Sequence, residues 1–157
     1  MSAVESTCRC AEKHLYTPRP ATITKAEQMT AKEKFLELKL NDGSDLGHQP
    51  GQFVEVSILG YGEAPISVSS SPTKKGSFDL CVRATGSVTN QLHKLPVGAT
   101  VGIRGPFGKG FDTEFLKGKN ILFIGGGIGI VPLRSLINYV LDNRKNYGKV
   151  TILYGAK

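Results

Sequence analysis

The sequence of 157 residues has no tryptophan, only three cysteines and no long apolar run. A membrane helix needs about 18 or more apolar residues in succession, so no membrane span is expected, and the N-terminus lacks the core of a signal peptide. An odd number of cysteines argues against a disulfide framework. We therefore expect a cytoplasmic protein.

Clustered positive charge is also missing, although the net charge is +7. No basic run is longer than Lys74-Lys75, whereas nucleic-acid binding needs a basic stripe or patch. The sequence therefore predicts no nucleic-acid partner. A basic balance remains compatible with an anionic cofactor or an acidic protein.

Two of the cysteines, Cys8 and Cys10, lie in a polar segment over residues 1–17 that has no period and is expected to be a tail. One short pair is too few for a four-ligand metal site. The two thiols are either incidental or assist a metal or cluster on a partner.

Glycine and proline, in contrast, are abundant, with 19 and 8 residues. Between residues 18 and 112, short runs of alternating apolar residues are separated by turn signals, which is typical of an antiparallel barrel or sandwich. The six expected strands lie near residues 22–28, 36–40, 54–58, 66–70, 78–82 and 100–105. A short helix is expected over residues 89–94, with Ser87 or Thr89 as its N-cap.

The pattern changes after about residue 112. A strand over 120–124, a glycine turn, a helix over about 129–143 and a strand over 149–154 predict one β-α-β unit with parallel strands. Pro132 falls in the first helical turn, where its missing N–H costs nothing. We expect residues 113–157 to form only the first unit of an α/β nucleotide-binding domain.

The glycine turn is the first candidate site. Its glycines allow a dinucleotide pyrophosphate to approach the backbone, and the helix that follows offers free N–H donors. The acidic residue that usually ends the second strand is absent, because that strand ends in Tyr154, Gly155 and Ala156. The fingerprint for NAD is therefore incomplete.

A second glycine turn ends the strand over 78–82 and leads into the short helix. The backbone N–H groups and hydroxyls that follow Gly86 are expected to point at an anion. Taken alone, the earlier segment with Pro65 indicates only an edge strand.

These elements, in this order, resemble the ferredoxin–NADP reductase superfamily over residues 18–157. The resemblance implies a six-stranded antiparallel barrel that binds FAD, with FMN as the alternative flavin, followed by an NAD(P)-binding domain. Its serine motif would approach flavin N5. The matching residues are Ala64, Pro65, Ile66 and Ser67 for the flavin motif; Val82 and Arg83 for the ribityl chain and diphosphate; Gly86, Ser87, Val88 and Thr89 for the phosphate turn; and Gly125, Gly126, Gly127, Gly129 and Pro132 for the NAD(P) turn.

Within the superfamily, the motif that begins at Ala64 looks like the electron-transfer, gamma-type subunits of cytoplasmic hydrogenase, sulfhydrogenase or anaerobic sulfite reductase. Ala64 replaces the arginine that usually neutralises the flavin pyrophosphate, and Arg83 is the candidate to supply that charge. Relative to those subunits the chain is truncated at its C-terminal side. NAD(P) is therefore expected to bind weakly, or only in a longer form.

The resemblance implies a subunit that passes electrons between NAD(P)H and an iron–sulfur partner through FAD, without a catalytic side chain or a metal ligand. The alternative is a flavin-free interaction module, or a remnant that keeps only the barrel. One helix can cover only one face of two parallel strands, and such strands are buried on both faces. We therefore expect the chain to be either a fragment or a homodimer through the incomplete α/β domain.

Overall fold

The computed structural model describes residues 16–156. The expected tail, with Cys8 and Cys10, lies outside this range except for residues 16 and 17. Six strands come first: β1 (Arg19–Gln28), β2 (Glu33–Leu40), β3 (Phe53–Ile58), β4 (Gly62–Ser67), β5 (Phe78–Arg83) and β6 (Thr100–Phe107), with helix α1 (Ser87–Lys94) between the last two. They are followed by β7 (Ile121–Gly126), α2 (Ile130–Asp142) and β8 (Val150–Gly155).

The first six strands form one antiparallel sheet in the order β4-β3-β6-β1-β2-β5. A bridge between Val68 and Leu80 joins the two ends of the sheet just beyond β4. The expected six-stranded antiparallel barrel is confirmed.

The barrel core follows from the period of two in its strands, because successive side chains point to opposite faces. In β2, Leu36, Leu38 and Leu40 are buried, whereas Lys39 is exposed. The same alternation in the other strands fills the interior with Ala21, Ile23, Val54, Val56, Phe78, Leu80, Val82, Val101 and Ile103.

The second region is the expected parallel β-α-β unit. β7 and β8 pair in parallel, from Ile121 with Val150 to Gly126 with Gly155. Ile121 and Phe123 pack under α2, but Leu122 and Ile124 on the opposite face are 55% and 69% exposed. Within the described residues, this open face of Leu122, Ile124 and Leu153 has no cover, as the sequence predicted.

Several expected boundaries are wrong, because β1, β2 and β4 begin three or four residues earlier than expected. Two further differences, at the start of α1 and the end of β4, concern the candidate site. α1 begins at Ser87 with Gly86 as its N-cap, two residues before the expected start, because the Thr89 hydroxyl closes the preceding turn and does not cap a later helix. β4 ends at Ser67 and does not continue to residue 70, because the serines that follow bury their polar groups in bonds outside the ladder.

β4 can contain Pro65 because this strand is hydrogen-bonded along its length only to β3. In the part of the chain that the structure describes, its other edge has no partner strand, so a residue without an N–H group costs no ladder hydrogen bond there. Among residues 16–156, no helix is long and apolar enough to cross a membrane, and the longest, α2, has 13 residues.

Candidate functional site

A cleft of about 1030 Å³ separates the outer face of the barrel from the start of α2. Its barrel wall is built from β1, β2 and β5, and its other wall from the glycine turn, the first turns of α2 and the end of β8. The lining includes Lys25, Glu27, Glu33, Phe35, Cys81 and Arg83 on one side and Gly127, Ile128, Val131, Arg134, Tyr154 and Gly155 on the other.

The flavin motif on β4 lies beside this cleft. Because Val68 and Leu80 meet at the bridge and point inward, the preceding Ser67 and the following Cys81 have outward positions. Ser67 does not line the cleft, but Ser69 and Cys81 do. The structure therefore brings Ser69, two residues beyond the flavin motif, and the glycine turn to one cleft, whereas Ser67 and the phosphate turn do not line it.

The register of β4 also places the residues before Ser67. Ala64 and Ile66 pair with Val56 and Val54, which are fully buried, so they share the inward face of the strand. Pro65 is exposed on the other face.

The phosphate turn has an open N-terminal end. Gly86 is extended (φ −136°), and a Cβ added there would meet no atom within 4 Å. Neither backbone strain nor packing therefore requires a glycine. The lack of a side chain instead leaves open space before the first turn, whose N–H groups at Ser87 and Val88 a helix cannot satisfy internally.

The Thr89 hydroxyl stabilises the phosphate turn through hydrogen bonds to the backbone of the turn itself. Its hydroxyl oxygen accepts hydrogen bonds from the N–H groups of Thr85 (3.0 Å) and Gly86 (2.9 Å) and donates to the Gly86 carbonyl (3.1 Å). The hydroxyl is thus occupied by the turn itself. Any contact from Thr89 to a phosphate would come from its N–H group.

Arg83 is held by a carboxylate. Its Nε lies 2.6 Å from Glu33 Oε1, and Thr30 donates to the other oxygen of Glu33. These hydrogen bonds, from Thr30 first and then from Arg83, lower the pKa of Glu33. Since the pair is close to neutral, Arg83 supplies less positive charge than the sequence alone indicates.

The glycine turn before α2 forms a second open cradle. Gly127 has φ +50°, a conformation that favours glycine, and a Cβ at Gly127 or Gly129 would meet no atom within 4 Å. Gly125 is packed, since its Cβ would lie 3.1 Å from Ile130 Cδ1. Pro132 lies in the first turn of α2, as expected.

These two cradles fit the anionic part of a dinucleotide, because each combines helix-start N–H donors with space that no side chain fills. The described residues contain no group of three His, Cys, Asp or Glu side chains that could hold a metal ion.

Several cleft residues were missed by the sequence reasoning. Phe35 is flanked by two cations, with Lys25 Nζ 5.5 Å and Arg134 Cζ 5.7 Å from its ring centroid. Phe35 falls out of phase with the buried leucines of β2, which marks an outward aromatic in the sequence. No comparable signal marks Arg134, because its partners are distant in the chain.

Residues 20–111 match the family model of the oxidoreductase FAD-binding domain. The chain belongs to this family. This family match indicates that the cofactor is FAD, which agrees with the open cradle before α1.

Relatives of known description extend the match beyond the barrel. The chain is 41% identical over 145 residues to the sulfhydrogenase 2 subunit gamma of Pyrococcus furiosus, which covers 90% of this chain and 50% of that protein. It is 42% identical over 88 residues to a probable dihydroorotate dehydrogenase B (NAD(+)) electron transfer subunit of Methanothermobacter thermautotrophicus, covering 56% of this chain and 32% of that one. The chain thus spans half or less of these relatives.

The fold matches that of a solved FAD/NAD binding domain. The flavohem-like FAD/NAD binding domain of nitric oxide dioxygenase from Vibrio cholerae superimposes with a TM-score of 0.78 at 21% identity, over 90% of this chain and 63% of that domain. The resemblance to the ferredoxin–NADP reductase superfamily is confirmed at the level of the fold.

Proposed function

We propose that the protein is a flavin-dependent electron-transfer subunit that passes electrons between NAD(P)H and an iron–sulfur partner through FAD. The observation that carries this proposal is the presence of two open cradles. One precedes α1 on a barrel of an FAD-binding family, and the other precedes α2 in the region that follows the barrel. The names of the relatives, a gamma subunit and an electron transfer subunit, support the same class.

Bound FAD would supply two kinds of chemistry, which are to accept a hydride from a nicotinamide and to release electrons one at a time. The N–H groups of Ser87 and Val88 would hold its pyrophosphate. The Ser67 hydroxyl would donate to flavin N5, and Arg83 would lie along the diphosphate. The side chain of Val82 is in the barrel core, so this residue would contact the ribityl chain only through its backbone. The turn of Gly127 and Gly129 would bind the phosphates of NAD(P).

The alternative, a flavin-free interaction module, has one observation in its favour. Ala64 provides no cation, and Arg83 is paired with Glu33 at 2.6 Å. A protein that purifies without colour and does not bind added FAD would support this alternative.

The direct test is a fluorescence titration of the chain with FAD, compared with a Gly86→Ala variant. Because the backbone of Gly86 is extended and its surroundings are open, the variant folds, but its methyl group occupies the space before α1. We expect FAD affinity to fall by about tenfold or more, which is about 1.4 kcal/mol.

The matched control is Lys39→Ala, an exposed position of β2 away from the cleft, which should bind FAD as the unaltered chain does. Ser87→Ala and Thr89→Ala complete the series, and both should weaken FAD binding. Equal affinities for all variants would reject the phosphate turn.

The partner proposal includes a homodimer through the open face. Leu122, Ile124 and Leu153 present exposed apolar side chains there, and such a patch marks a protein contact more often than free surface. Sedimentation velocity should show concentration-dependent dimers that Ile124→Lys abolishes. A monomer at every concentration would contradict this arrangement.

A further inference from the structure

Three consecutive serines follow β4 and are almost completely buried: Ser69, Ser70 and Ser71. They form a corner that is tied to β5 by hydrogen bonds. The N–H of Ser69 donates to the carbonyl of Asp79 (2.8 Å), and the N–H of Asp79 donates to Ser70 Oγ (3.0 Å). A corner bonded in this way has a fixed position on the barrel.

Helix α2 of the second region reaches this serine corner with two neighbouring side chains. Arg134 Nη1 donates to the Ser69 carbonyl (3.0 Å) and lies 3.1 Å from Asp79 Oδ2. Ser135 Oγ, fully buried, donates to the Ser70 carbonyl at 2.6 Å.

The same face of α2 makes a further contact two turns later, where the Thr73 hydroxyl donates to Asp142. Positions 134, 135 and 142 lie on one side of a helix because seven or eight residues span two turns. The helix is therefore docked along its length and not at a single point.

Among the α2 residues at the serine corner, Arg134 is the one that neutralises a buried charge. The side chain of Asp79 is only 6% exposed and lies between two cations, Lys74 at 2.5 Å and Arg134 at 3.1 Å. Lys74 also binds Glu37 at 2.6 Å, so it is shared by two carboxylates. Removal of Arg134 leaves a buried carboxylate with only a shared cation, which is costly.

The corner joins the two parts of the proposed site over a short path. Ser69 is two residues beyond Ser67, and Arg134 is five residues beyond Gly129. A displacement of α2 against the corner would therefore move the glycine turn relative to β4 directly.

We propose that Arg134 is a positioning residue, whose bonds to Ser69 and Asp79 couple the glycine turn before α2 to the strand that carries Ser67. The inference rests on the proposed function for the roles of those two elements. Its physical content is that FAD bound at β4 and α1 stabilises α2, although α2 belongs to the other region.

The test is hydrogen exchange with mass spectrometry on the whole chain, with and without saturating FAD. In the unaltered chain, FAD should slow exchange in residues 62–70 and also in residues 130–142. In Arg134→Met, the slowing in 62–70 should remain within about twofold, while that in 130–142 is lost. Arg134→Lys, which keeps the charge, should restore part of it.

The control is Leu141→Ala, at an exposed position of α2 that takes no part in the hydrogen bonds to the serine corner, which should keep the response of residues 130–142 to FAD. A response of that segment that survives in Arg134→Met, or that is absent from the unaltered chain with FAD bound, would overturn the inference.

Failure of the proposed function is distinguishable, because FAD would then slow exchange nowhere. The comparison without FAD still decides the coupling. Arg134→Met should speed exchange in residues 130–142 by about tenfold while residues 53–58 remain unchanged. Equal exchange rates in the variant and the unaltered chain would reject the role of Arg134.

Discussion

The barrel and the β7–α2–β8 unit differ in how completely they bury the apolar faces of their strands. In the barrel, closure between Val68 and Leu80 places one face of every strand around a single core. In the second region, α2 covers Ile121 and Phe123 but leaves Leu122 and Ile124 exposed. Antiparallel strands need one covered face, whereas parallel strands need two.

The largest expected effect on stability comes from comparing a leucine-to-alanine substitution in the barrel core with the same substitution on the open face. Leu36→Ala, at a position with no exposure in the barrel core, should lower the free energy of unfolding by about 2–5 kcal/mol. Leu122→Ala on the open face should change it by less than about 0.5 kcal/mol in the monomer, at protein concentrations too low for the proposed dimer to form. Urea unfolding followed by circular dichroism measures both values.

Equal losses in the two variants would show that the open face is covered in solution. Repeating the measurement at a tenfold higher protein concentration separates cover by a second copy from cover within the chain, because only the former depends on concentration.

A smaller effect is expected in the glycine turn. Gly127→Ala should destabilise the protein by about 1–2 kcal/mol, because the positive φ at this position is unfavourable for alanine. Gly129→Ala, at φ −60° in open space, should stabilise it by about 0.4–1 kcal/mol. Thermal unfolding of both variants makes the comparison, and a stabilising Gly127→Ala would refute the conformation of this turn.

A pH dependence of the barrel comes from buried His48. Burial lowers the pKa of His48 from its usual 6.5, although its hydrogen bond to the Ser70 carbonyl opposes this. The unfolded chain therefore binds the proton first, and stability should fall as the pH drops from 7 through 6.5 towards the lower folded pKa. His48→Gln should flatten the stability profile between pH 7 and 5.

The smallest effect is expected in acid, at the carboxyl groups. Hydrogen bonds from Lys74 and then Thr24 lower the pKa of Glu37, and those of Arg104 lower the pKa of Glu63. Folded carboxyls then bind fewer protons than unfolded ones, so their contribution is present above pH 4.5 and lost as the pH falls below it. Glu63→Gln should reduce the steepness of acid unfolding, and an unchanged acid transition would argue against this pair.

Much of the fold could be predicted from the sequence because it rests on local alternation. Leu36, Leu38 and Leu40 define the face of β2 without knowledge of any partner strand. The two glycine turns were likewise visible, since Gly86 and Gly127 stand between recognisable elements.

The boundaries and the cleft could not be predicted to the same extent. The start of α1 depends on which backbone groups the Thr89 hydroxyl reaches, and the serine corner depends on Arg134, some 65 residues away in the chain. The pairing of Arg83 with Glu33, 50 residues apart, also lay beyond a local pattern. Contacts at such separations follow from the fold itself.

FAD binding to the barrel at β4 and the start of α1 is the proposal from which the others follow. The most direct test is a titration of the ¹⁵N-labelled chain with FAD, followed through its backbone amide resonances. Binding at these two elements should give saturable shifts at one equivalent, largest at Ser67, Gly86, Ser87 and Val88. Resonances that do not move, or shifts confined to residues outside these two elements, would contradict it.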